Sequence, residues 1–127
     1  MKYISEFSRE GKTFVYINLT GLKSNIEFYR ALDEVKQFMV QYEPKSVYTI
    51  VDIHDIMFDT VTRDIFVEMG MINKNYAIKG AILGMDGIKS IMFKTIFQRV
   101  NSPLEYQPNL ETAVTWLSNY SDGLMYS

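Results

Sequence analysis

Two short apolar runs, SVYTIVDI over residues 46–53 and IKGAILGM over 78–85, constrain the fold more than any other feature of the chain. Each is nearly continuous in apolar character and lacks the polar alternation of a strand with one wet face. Each therefore predicts a strand buried on both sides. A helical segment from about Thr60 to Asn75 lies between them. Strand, helix and strand in that order form the unit from which parallel sheets are built, with right-handed crossovers.

The flanking segments extend the pattern. Residues 3–9 and 13–20 predict two strands joined by a tight turn at Glu10-Gly11-Lys12. In the second strand Val15, Ile17 and Leu19 point one way and Phe14, Tyr16 and Asn18 the other, so apolar groups occupy both faces. Ser24-Asn25-Ile26-Glu27 has the spacing of a capping box, in which each side chain satisfies an amide of the first helical turn. The helix it opens gathers Phe28, Leu32, Val35, Met39 and Tyr42 into one stripe and ends before Pro44. Asp86 to about Asn101 predicts a third helix, and Leu104–Tyr106 a short strand that Pro103 marks as an edge. Asn109 is a good N-cap for a last helix, with Leu110, Ala113, Val114, Trp116, Leu117 and Tyr120 on one side and Glu111, Thr115, Ser118 and Asn119 on the other. The expected order is ββαβαβαβα. It describes an α/β domain over residues 1–120, with a mixed, mostly parallel sheet packed with helices, and residues 121–127 as a loose tail.

Composition narrows the function classes. Hydrophobic residues at 47% and charged residues at 22% are globular values and exclude a disordered chain. A formal charge of -2 with no basic block gives no nucleic-acid footprint. Without cysteine there can be no disulfide, thiolate metal site or thiol nucleophile, which fits a reducing compartment. MKYISEFSRE has no apolar signal-peptide core, and no run approaches the ~20 residues of a membrane span, so a cytoplasmic location is expected.

Three segments carry a family resemblance. They are VYTIVDIHDIMFDTVTRD (47–64), IKGAILGMDGIKSIMFKTIFQR (78–99) and LETAVTWL (110–117). In order and spacing they resemble the STAS domain, the small α/β module of anti-sigma-factor antagonists and sulfate transporters. The likeness is greatest to small stand-alone bacterial STAS/Sec14-type proteins. The resemblance implies a regulatory or protein-interaction role. In the antagonists the second helix opens on Asp-Ser-Ser-Gly, whose second Ser is phosphorylated. The aligned residues here are Asp59-Thr60-Val61-Thr62, which put Val61 at the acceptor and Thr62 at the glycine. A shift of one residue would bring Thr62 to the acceptor position.

Three places merit consideration as a site. The first is the crevice beyond the carboxyl ends of the central strands, where open α/β sheets bind ligands. Asp52, His54, Asp55, Asp59, Thr60 and Thr62 lie in or beside one strand-to-helix loop there. His54 with Asp55 or Asp59 could act as a general base. A catalytic metal usually needs three protein ligands and no second histidine exists, so no metal, cofactor or catalytic set is assigned. The plainer reading makes Asp59 or Thr60 a helix cap, Asp52 an acceptor for loop amides and His54 a surface residue. The second place is Gly84-Met85-Asp86-Gly87, a turn whose amides, with Lys89, could hold an anion; more simply, the glycines serve the turn and Asp86 caps. The third is the third helix, apolar over a wider arc than one docked face needs. There Ile91, Phe93 and Phe97 could form a partner or homodimer face, or lie buried beneath the last helix.

A non-enzymatic regulatory or protein-interaction module, with a protein partner or self-association, is the leading expectation. The alternative is a carrier or sensor of a small hydrophobic or lipid ligand. Met57, Met69, Met71, Met85 and Met92 would suit its pocket, although they would equally fill a core.

Overall fold

The computed structural model describes residues 1–120, so the expected tail at 121–127 lies outside the described residues. Nine elements follow in the anticipated order: β1 (Ile4–Arg9), β2 (Lys12–Asn18), α1 (Asn25–Met39), β3 (Val47–Asp52), α2 (Thr60–Tyr76), β4 (Ala77–Leu83), α3 (Gly87–Val100), β5 (Leu104–Tyr106) and α4 (Leu110–Ser118). The five strands stand in sequence order, β1-β2-β3-β4-β5. β1 and β2 are antiparallel, and every later pairing is parallel. The hairpin closes on Glu10-Gly11, both at positive φ (53° and 77°), as a type I′ turn requires.

Three crossovers stepping one way along the sheet put α1, α2 and α3 on the same face. Alternation along the strands decides what they meet. Val15, Ile17, Val51, Ile53 and Ile82 join Phe28, Leu32 and Val35 of α1, Ile65, Phe66 and Met69 of α2, and Phe93 and Ile96 of α3 in one core. The opposite parity, Phe14, Tyr48, Ile50, Ala81 and Leu83, packs on Ala113, Val114 and Leu117 of α4. α4 is therefore on the far side of the sheet from α3, and the expectation that α3 is buried beneath the last helix is corrected: α2 and the sheet cover it. Lys12 fixes the end of α4, its Nζ donating to the carbonyls of Leu117, Ser118 and Tyr120 at 3.0, 2.9 and 2.8 Å. A cation there also complements the negative end of the helix.

Helix starts differ from the sequence expectation in one respect. Ser24 accepts from the Glu27 amide, but the Glu27 carboxylate takes the Ser24 hydroxyl rather than its amide, so that box is half made. A complete box forms at α2. The Thr62 amide donates to Asp59 Oδ1 at 3.0 Å, and the Asp59 amide donates to Thr62 Oγ1 at 2.6 Å.

Candidate functional site

The carboxyl ends of β3 and β4 bring together part of the expected set. Asp52 ends β3 on the parity that faces α4, as does Tyr16 on the neighbouring β2. The Asp52 carboxylate takes the Tyr16 hydroxyl on Oδ2 at 3.0 Å and the His54 amide on Oδ1 at 3.1 Å, with His54 Nδ1 2.5 Å from the same oxygen. Burial pushes the Asp52 carboxyl up, but the His54 amide and ring and the Tyr16 hydroxyl outweigh it and hold the group below the usual carboxylate range. Tyr16 is pushed up to about 12 by burial, by its bond to Asp52 and by that negative charge.

His54 is thus held by Asp52, and the two carboxylates expected to serve it do other work. Asp55 turns outward at φ 56° and pairs with Lys23 at 2.9 Å; that bond and charge lower its carboxyl below the ordinary range. Asp59 is committed to the α2 capping box. Thr62 is fully buried with its hydroxyl inside that box, so it is not accessible as a phosphorylation site in this structure, whereas Thr60 is exposed. Tyr16 and Lys23 were missed from sequence. Strand parity could have found Tyr16, since it shares a face with Asp52, but nothing in the pattern marks Lys23.

The second turn is shaped by proximity to the first. Gly84 has φ +87°, and a Cβ there would come within 2.5 Å of the His54 amide nitrogen and 2.8 Å of its Cα. The glycine lets one strand-to-helix loop pass against the other. Lys89, expected to assist an anion, is largely buried; its Nζ donates to the Ile53 carbonyl at 3.1 Å and lies 3.5 Å from Asp86. Asp86 holds the N-cap position of α3 but makes no capping bond. With Lys89 occupied and a carboxylate at the helix start, this turn does not offer the anion cradle that its spacing suggested, and Gly87 is simply exposed.

On α3 the three expected interface residues separate. Phe93 is 1% exposed, in edge-on contact with Phe58 and Phe66 at 5.2 and 4.8 Å, so it belongs to the core and not to an interface. Phe97 is half-buried and lines a groove of about 750 Å³ between α3 and β5, with Ser90, Lys94, Gln98 and Tyr106. Ile91 is 71% exposed, and Ile88, one turn earlier, is 77% exposed. The space enclosed by α2, α3 and the sheet is about 30 Å³, enough for a water or two and far below the roughly 300–1,000 Å³ of a small-molecule pocket. Among the described residues no three His, Cys, Asp or Glu side chains converge, and no helix is long and apolar enough to cross a membrane.

This architecture, a β-hairpin feeding three same-face crossovers with a last helix behind, is the SpoIIAA-like, or STAS-like, fold. It matches the crystal structure of an uncharacterised protein of the DUF3478 family from Shewanella loihica PV-4, described as having a SpoIIAA-like fold. The two share 10% identity at a TM-score of 0.68 over 90% of this chain and 91% of that one, so the similarity is one of fold. No protein-family profile matches the sequence. No curated protein matches it either.

Proposed function

We propose that this chain is a non-enzymatic protein-interaction module of STAS type with a regulatory use, and that α3 is its docking helix. The observation that carries the reading is the pair Ile88 and Ile91, exposed one turn apart on a helix whose opposite side is already anchored by Phe93, Ile96 and Val100. Large apolar side chains left uncovered on a rigidly seated helix are the usual groundwork of an interface. They stand beside Asp86 and Ser90, both exposed, which supply a polar rim. The Asp52–His54 pair is explained without chemistry: the same carboxylate takes the backbone amide and ring of a residue two positions on, which closes the loop as an Asx-type turn.

The test is co-purification from native lysate with wild type and with an Ile88→Asp, Ile91→Asp double variant. Both substitutions lie at exposed positions and should leave stability within about 0.5 kcal/mol per site. A protein that purifies reproducibly with wild type should be lost from the folded double variant. Retention of that protein, or a wild type that returns none, ends this reading.

A further inference from the structure

The two edges of the sheet are unequal. β5 has three residues and follows Pro103, and its Leu104 amide is already bonded to the Ser102 hydroxyl at 3.1 Å. Short, proline-flanked edges of this kind resist further pairing. β1 has six residues, ISEFSR, and no proline. The Asn18 amide donates to the Tyr3 carbonyl at 2.8 Å, and the register continues through Ser5↔Tyr16, Phe7↔Phe14 and Arg9↔Lys12. Odd-numbered residues therefore aim their backbone groups at β2, and Ile4, Glu6 and Ser8 aim theirs away from the sheet. Among the described residues no hydrogen bond reaches those outward groups.

We infer that β1 pairs antiparallel with β1 of a second copy of this chain, about a two-fold axis at Phe7. An axis normal to the sheet keeps corresponding faces on the same side and allows only registers centred on a residue. Centring on Glu6 sets two glutamates directly opposite each other, and centring on Ser8 sets Glu6 against the partner's Glu10. Centring on Ser5 leaves the end of the strand unpaired and opposes Ile4 to the partner's Glu6. Centring on Phe7 sets no two carboxylates opposite each other and pairs the strand from Ser5 to Arg9, with Ile4 meeting the partner's Glu10 at the turn beyond it. Glu6 and the partner's Ser8 then exchange backbone hydrogen bonds, Ser5 faces the partner's Arg9, and the two Phe7 rings meet at the axis. Phe7 is already stacked on Phe14 at 4.9 Å, and Phe14 lies 5.8 Å from Tyr48, so the aromatic row would continue across the interface.

The other face of the edge is flanked as well. Glu34, Phe38 and Tyr42 follow one another at helical spacing along α1 and just beyond it. Glu34 accepts the Tyr3 amide at 2.8 Å, and the Tyr42 hydroxyl donates to Glu6. That stripe runs alongside β1 while Ser5, Glu6 and Ser8 stay exposed, so it borders the edge without covering it. It would add half-buried Phe38 to the contact. This interface is separate from α3 and does not depend on it.

Sedimentation of the full chain tests the proposal, and the expected species is about twice 14.8 kDa. Ser8→Pro removes an outward amide that bonds nothing within the chain; the variant should fold, as circular dichroism will show, and sediment as a monomer. Ser5→Glu places a carboxylate opposite the partner's Arg9 twice per dimer and should tighten association about 2- to 30-fold. Ser5→Arg should weaken it by a similar factor. A wild type that stays monomeric up to about 1 mM overturns the proposal. So does a dimer that Ser8→Pro leaves intact, or one that Ser5→Glu and Ser5→Arg shift in the same direction.

Discussion

The loops that follow β3 and β4 occupy equivalent places in successive crossovers, yet one is tied down and the other is left open. The first, from Ile53 to Asp59, is held at its start by Asp52, in its middle by the Met57 amide on the Leu22 carbonyl at 2.9 Å, and at its end by the Asp59–Thr62 box. Phe58 adds a stacked contact to Phe66. The second loop runs through Gly84 to Asp86, an N-cap that caps nothing, and delivers a helix whose first turns expose Ile88 and Ile91. The contrast teaches that the three aspartates of the first loop each hold a structural bond, to the His54 amide, to Lys23 and to the Thr62 amide. The uncommitted surface lies on the plainer helix.

The sharpest way to break the contrast is to force the loops apart. Gly84→Ala adds a methyl 2.5 Å from the His54 backbone nitrogen at a φ that disfavours any side chain. Strain and overpacking together should cost about 2–4 kcal/mol in urea unfolding. A loss under about 1 kcal/mol would mean that the loops separate easily and that the first is not held rigidly.

The next effect down compares two aspartates at the same helical position. Asp59→Ala removes the acceptor of the Thr62 amide and should cost about 1–2 kcal/mol. Asp86→Ala removes only a 3.5 Å ion pair to the largely buried Lys89, whose Nζ keeps its bond to the Ile53 carbonyl, and should cost less, under about 1 kcal/mol. Equal losses in parallel urea titrations would erase the distinction between a capped α2 and an uncapped α3.

Much of this was legible in the sequence, and what was not has a physical cause. The apolar runs placed β3 and β4 in the middle of the sheet, strand parity assigned Val15 and Ile17 to one core and Phe14 to the other, and Pro103 marked the β5 edge. The expected helix cap at Asp59 is present, because a capping box is local and needs only spacing. The exposed side of α3 was not legible. On a wheel Met92, Phe93, Ile96, Phe97 and Val100 share one arc and Ile88 and Ile91 lie outside it, but with apolar groups on both sides the pattern left open whether the second side is also covered. Nor could spacing pick Asp52 over Asp55 and Asp59 as the partner of His54. That choice depends on the left-handed turn at Asp55, which swings its own carboxylate to Lys23.

The smallest expected effect asks whether acid loosens the tied loop while leaving the open one alone. Asp52 is the one carboxylate that closes the entrance to the first loop, with its side chain 13% exposed, and its folded pKa lies below the ordinary value. A depressed acid contributes its full stabilisation above the unfolded pKa of about 3.9 and loses it as pH falls through the lower folded value. Tyr16 works in the opposite sense. Its raised pKa means that stability is intact below about 10 and declines as pH climbs toward about 12. The bond between the two groups is therefore whole across the neutral range and fails at either end. Amide exchange at His54, whose N–H rests on Asp52, should quicken below about pH 4, after correction for intrinsic rates, while Ser90 in the first turn of α3, bonded to the Asp86 carbonyl rather than to a carboxylate, should not change. Asp52→Asn should flatten the acid limb of the stability curve relative to wild type. If His54 and Ser90 quicken together, acid is unfolding the whole domain, and the two loops are equally bound to it.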